Sequence, residues 1–163
     1  MSRFQALRAD PEFDALRRAS ARLGADPAQV QAAGGNTSLK RDGAMWIKAS
    51  GTWLADALSR EIFVPVDLTG LWAAMSAGDP DAEGAVAHVP AADNPGGLRP
   101  SIETTVHAAL DAPVVIHTHC VATIALAIRQ DGEALTERLL ADLGAVWIPY
   151  VKPGLRLSQE IAA

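Results

Sequence analysis

Residues 99–120 leave this chain few ways to fold. They read Arg-Pro-Ser-Ile-Glu-Thr-Thr-Val-His-Ala-Ala-Leu-Asp-Ala-Pro-Val-Val-Ile-His-Thr-His-Cys. The stretch opens like a helix start, continues as one helix, turns, and ends in a strand carrying His117 and His119. Side chains alternate faces along a strand, so these histidines are expected to point the same way. Their Cα atoms would lie roughly 6.5–7 Å apart, which lets two imidazoles converge on one ion. Val114-Val-Ile116 is expected to hold the strand in the core. Two structural histidines at a strand edge would share this pattern.

Glu103 adds weight to the chemical reading. Pro100 and Ser101 suit a helix start, with Ser101 as cap and Glu103 in the first turn. A carboxylate there can simply oppose the helix dipole. It can also stand beside an ion as ligand or general base. His107 follows four residues later on the same helix face, as a further ligand or as a core histidine behind the site.

The remaining sequence bounds the answer. At 163 residues, one domain spans 1–163 and is long enough to bury a real core. No stretch has the ~18 uninterrupted apolar residues of a membrane span, and the first ten residues lack an apolar signal core. The single cysteine, Cys120, excludes an intrachain disulfide framework and suits a reducing compartment, so a cytoplasmic location is expected. A net charge of −5 argues against a nucleic-acid surface.

Along the chain, residues 11–23 carry helical spacing (Phe13, Leu16, Leu23), and Gly24 closes it. Gly34-Gly-Asn-Thr-Ser-Leu-Lys40 reads as a small-residue loop between strands. Met45-Trp-Ile-Lys-Ala-Ser-Gly51 reads as a strand turning at Ser50-Gly51. With Lys48, the two loops could cradle a phosphate through backbone amides, or be plain turns. Residues 62–66 form a strand whose Pro65 predicts an edge position or a bulge, and Asp67 caps a helix over 68–77. A short strand is expected over 85–89, with His88 at the surface, and a buried helix over 121–128. An amphipathic helix over 133–143, a strand over 145–151 and a helix over 157–163 complete the reading. The pattern predicts an α/β layered fold, with a mixed, largely antiparallel sheet flanked by helices.

Gly35-Asn-Thr-Ser38, Ile47-Lys-Ala-Ser-Gly51, Pro100-Ser-Ile-Glu103 and His117-Thr-His119, in this order, resemble the class II aldolase/adducin family. That family includes fuculose-phosphate and rhamnulose-phosphate aldolases, a ribulose-phosphate 4-epimerase and a dehydratase. The resemblance implies His117 and His119 as ligands of a divalent metal, most often Zn2+, and Glu103 as the acid/base carboxylate. It implies Asn36, Thr37, Ser50, Gly51 and Ser101 around a substrate phosphate, with Lys48 matching a lysine of epimerase-like members. The reaction implied is retro-aldol cleavage of a ketose phosphate through an enediolate. Epimerisation and dehydration are the alternatives within the family. An adducin-like interaction domain is the alternative outside catalysis, although a scaffold has no use for two convergent imidazoles. The partners implied are a small sugar phosphate and further copies of the chain, in the family a homotetramer, with neither nucleic acid nor membrane.

Three positions depart from the pattern. Ile102 replaces a serine, and Ala49 replaces a proline. The family's third histidine lies beyond the segment that Tyr150-Val-Lys-Pro-Gly154 resembles. The expectation is therefore a C-terminally truncated member, with at most His117, His119 and Glu103 as protein ligands.

Overall fold

The structure, a computed structural model, describes residues 1–162. Two helices, α1 (Arg3–Arg8) and α2 (Pro11–Gly24), precede the sheet. The Ser2 capping box starts α1, and the Asp10 side chain with Pro11 starts α2. Strands β1 (Asn36–Arg41) and β2 (Ala44–Lys48) follow, joined by a two-residue turn at Asp42-Gly43. Both turn residues have positive φ, 51° and 72°, the backbone that a tight antiparallel hairpin demands and Asp-Gly supplies. The hairpin thus turns there, whereas Asn36, Thr37 and Ser38, expected in a loop, already belong to β1.

Strand β3 (Phe63–Asp67) pairs with β2, and Pro65 is tolerated because β3 lies at the sheet edge. Asp67 then caps α3 (Leu68–Ala77), which Gly78 closes in the left-handed conformation. Helix α4 (Thr104–Ala109) and β4 (Val114–His117) bring the chain back to the other edge. The sheet order is β3-β2-β1-β4, antiparallel throughout. Helices α5 (Val121–Ala127), α6 (Gly132–Leu140) and α7 (Leu155–Ala162) follow.

Alternation divides the sheet into two packed faces. Leu39, Trp46 and Phe63 meet Phe4, Leu7, Phe13 and Leu16 of α1 and α2. Met45, Ile47, Val64 and Val66 meet Leu68 and Leu71 of α3 and Ala108 of α4.

The second half differs from its sequence expectation in several places. Residues 85–89 form no strand; they lie in and just after a kinked 3-10 helix, Pro80–His88. His88 is partly buried, with its Nε2 enclosed. Residues 145–151 form no strand either, because no sheet edge is paired with them. Helix α5 is present but has no buried residue. In β4 only Val115 is buried, while Val114 and Ile116 are 41% and 50% exposed. The terminal helix falls where expected, apart from Ala163, which lies outside the described residues.

Candidate active site

The site forms where β1, β4 and the start of α4 meet. Asn36, the first residue of β1, is registered opposite His117, the last of β4, so both side chains rise on the α4 side of the sheet. Glu103 itself takes the N-cap position of α4, so the helix starts two residues later than a Ser101 cap would have it, and Ser101 acts just ahead of it. The Ser101 hydroxyl accepts from the Glu103 backbone N–H at 3.2 Å, and its carbonyl accepts from Thr104. That turn delivers the carboxylate to His117: Nδ1 lies 2.7 Å from Glu103 Oε2. The Asn36 amide nitrogen donates to the same Oε2 at 2.8 Å and to Ser101 Oγ at 3.2 Å.

These contacts set the charge of Glu103. Burial alone would raise its pKa. The hydrogen bond and charge of His117, then the Asn36 amide, hold it below the ordinary carboxylate value. The carboxylate is therefore ionised at neutral pH. With Nδ1 of His117 committed to Glu103, Nε2 is the nitrogen His117 can offer an ion. A carboxylate fixing the tautomer of a metal-binding imidazole works in this way.

Strand β4 stops at His117, and His119 stands just beyond it, its N–H donating to the Gln29 carbonyl at 2.9 Å. The two histidine rings are still neighbours, with centroids 5.0 Å apart and planes at 57°. Two imidazoles sharing a tetrahedral ion through nitrogens ~2 Å away would have centres about 5 Å apart, the separation of these two rings. Among the described residues, no group of three or more His, Cys, Asp or Glu side chains is arranged to hold a metal.

The other expected residues divide. Ser50 and Gly51 are exposed at the turn after β2. That turn is stitched to the Glu103 segment by the Ala49–Pro100 bridge and by the Ser50 N–H donating to Arg99 at 2.8 Å. Thr37 lies on the opposite sheet face from Asn36, fully buried, with its hydroxyl 2.7 Å from Ser20 of α2. Lys48 shares a face with Ala44 and Trp46, again opposite Asn36, and its ammonium donates to the carbonyls of Ala33 (2.7 Å) and Gly35 (3.0 Å). Neither side chain joins the Asn36–Glu103–His117 cluster. Burial pushes the Lys48 pKa down to about 8, against the opposing pull of Glu103.

His107 is a core histidine. It is fully buried behind the cluster, its Nδ1 2.7 Å from Ser38 Oγ. Burial, helped by the nearby His117, pushes its pKa down to about 3, so it is neutral. The close seat of His119 on Gly34 was not legible in the sequence. A Cβ at position 34 would come within 2.7 Å of His119 Nδ1. A small residue before Asn36 was the signal, but its partner lies 85 positions away by numbering, 119 − 34.

Known proteins carry the same architecture. The family model for the Class II Aldolase and Adducin N-terminal domain matches residues 15–163. A Bacillus subtilis (strain 168) protein described as the uncharacterized oxidoreductase YuxG is 32% identical over 150 residues, 86% of this chain. The chain spans 22% of the length of that relative. Among solved structures, the N-terminal class II aldolase domain of a Thermoplasma acidophilum protein superposes with a TM-score of 0.76 at 26% identity. It covers 94% of this chain and 75% of that one. An aldolase II superfamily protein from Pseudomonas syringae matches with a TM-score of 0.50 at 22% identity, over 84% of this chain and 62% of its own.

Proposed function

The chain belongs to the class II aldolase and adducin N-terminal domain family, and from that premise we propose that it is a metal-dependent, aldolase-type lyase acting on a ketose phosphate. The observation that supports this reading most is the convergence of three side chains. Glu103 lies 2.7 Å from His117, and the rings of His117 and His119 lie with centroids 5.0 Å apart, tilted to one another. A divalent ion held by His117 and His119, Zn2+ by its preference for imidazole, would supply Lewis-acid polarisation of the substrate's carbonyl and hydroxyl oxygens.

The chain's own residues do the rest. Glu103 is ionised and partly buried, so it can take the proton of the substrate hydroxyl whose oxygen becomes the aldehyde carbonyl as the C–C bond breaks, and return that proton to the enediolate carbon left behind. Asn36 holds the carboxylate in place, and Ser101 holds the backbone that carries it. Asn36 Oδ1 is buried with no partner among the described residues, so it is the acceptor in this cluster left for a substrate hydroxyl. Ser101 and the exposed Ser50-Gly51 turn are the residues proposed to hold the phosphate. Fixing it there would place the reacting carbon beside Glu103. Epimerisation or dehydration would use the same groups.

No described helix is long and apolar enough to cross a membrane. A cytoplasmic location and self-association, as a family-like tetramer, are part of the proposal. Apolar side chains exposed on β4 and α5 support self-association.

The test is turnover of a panel of ketose phosphates with Zn2+, Co2+ or Mn2+ supplied, in wild type and Glu103→Gln. We expect cleavage by the wild type and a loss in kcat on the order of 10²–10⁴ in the variant. No turnover of any panel member by the metal-loaded wild type would favour the interaction-domain reading instead.

A further inference from the structure

Lys48 ends a strand otherwise filled with apolar side chains, and it is 3% exposed. Among the described residues its ammonium meets no carboxylate at contact distance. It donates instead to two backbone carbonyls, Ala33 at 2.7 Å and Gly35 at 3.0 Å, the residues on either side of Gly34. Taking a cation out of water to bind two carbonyls is costly, so the contact is expected to fix something that needs fixing.

Gly34 shows what that is. The His119 ring lies so close to its backbone that a Cβ would fall 2.7 Å from Nδ1 and 2.9 Å from Cε1. His119 stands beyond the end of β4, so no strand pairing orients it. Its main chain is held by Gln29 and by the Gln31 side chain, 3.3 Å from its carbonyl. Its ring rests on the loop that Lys48 ties down.

We infer that Lys48 is a positioning residue for His119: it anchors the Ala33–Gly35 loop from below, and Gly34 seats the imidazole from above. This rests on the proposal that His119 holds an ion. It departs from any role for Lys48 as a phosphate ligand, because strand alternation turns Lys48 away from Asn36, Glu103 and His117.

The experiment compares wild type, Lys48→Met, Lys48→Arg and Gly34→Ala by three readouts: Co2+ titration, inorganic phosphate titration, and imidazole NMR of the metal-free protein. Lys48→Met is expected to bind Co2+ about 10- to 100-fold more weakly, the usual effect of removing a group that orients a ligand. In the metal-free protein its His119 resonances should shift, those of His107 should not, and phosphate affinity should be unchanged. Lys48→Arg keeps a donor for both carbonyls and should restore His119. Gly34→Ala leaves Lys48 intact and should displace the same ring, so this arm survives if Lys48→Met fails to fold. Unchanged His119 resonances in Lys48→Met would overturn the inference. So would loss of phosphate binding with Co2+ affinity retained, which would return Lys48 to the anion. If wild type takes up no Co2+, the proposed function falls, while the metal-free spectra still decide the role of Lys48.

Discussion

Two regions of this chain have similarly apolar sequences and opposite fates. In β1 to β3 and the start of α3, Leu39, Met45, Ile47, Val64, Val66 and Leu71 are fully buried. From β4 onward, Ile116, Val121 and Ile128 are 50%, 53% and 78% exposed, and Val146 reaches 79%. The first region has helices on both faces of the sheet, α1 and α2 on one and α3 and α4 on the other. In the second, Val114 and Ile116 of β4 stay exposed, and α5, which touches α6, buries none of its residues. An apolar run therefore states a demand for a partner, and burial follows only where the topology supplies one. The candidate site straddles the boundary. Asn36 comes from the packed region, His117 and His119 from the open one, and Glu103 from the turn between them.

The largest expected effect tests that contrast directly. Ile47→Ala, at a fully buried site, should cost about 2–5 kcal/mol by urea denaturation, from lost transfer energy and the cavity left behind. Ile124→Ala, on a helix with no buried residue, should change stability by about 0.5 kcal/mol or less. Similar costs for the two variants would mean that α5 is covered in solution, and the contrast between the regions would disappear.

The packed region was also the legible one. The Asp67 cap, the Gly78 stop and the edge position of Pro65 each follow from one residue's backbone chemistry, and the structure has them where expected. The Asp42-Gly43 turn carries an equally local signal, but the small residues at 34–38 drew the loop away from it. Residues 145–151 could not be read this way, because a β-prone sequence becomes a strand only beside a free sheet edge. For the site, Glu103, His117 and His119 were visible as residue types at telling spacing, and they do meet. The faces of Thr37 and Lys48 were not visible, since face depends on where a strand begins. A loop read at 36–38 carries no alternation at all.

A smaller effect comes from the histidine enclosed by the packed region. The pKa of His107 in the folded chain is about 3, against about 6.5 unfolded. Below pH ~6.5 the unfolded chain takes up a proton that the folded chain refuses, so unfolding becomes easier as pH falls. The His107 contribution is fully present above that pH and declines by up to about 1.4 kcal/mol per unit beneath it. Urea midpoints at pH 7 and pH 5 should show this fall in wild type and a shallower one in His107→Gln. Equal slopes in the two proteins would mean that His107 is open to solvent and that the packed region ends before α4.

The smallest effect concerns Thr37, whose two possible roles lie on opposite faces of one strand. Ser20 donates its hydroxyl hydrogen to the Leu16 carbonyl at 2.7 Å, so in the 2.7 Å contact with Thr37 it is Thr37 that donates. Thr37→Val keeps the shape and removes that donor. It leaves Ser20 with its own donation satisfied and one acceptor lone pair empty. The expected cost is about 1 kcal/mol of stability, the net value of one neutral hydrogen bond. Inorganic phosphate affinity should stay at the wild-type level, because the Thr37 hydroxyl faces α2 and away from Ser101 and Asn36. Ser101→Ala should do the reverse, weakening phosphate binding. A Thr37→Val protein of wild-type stability that no longer binds phosphate would place the Thr37 hydroxyl on the Asn36 side. The register that pairs Asn36 with His117 would then have to slip by one residue at the start of β1.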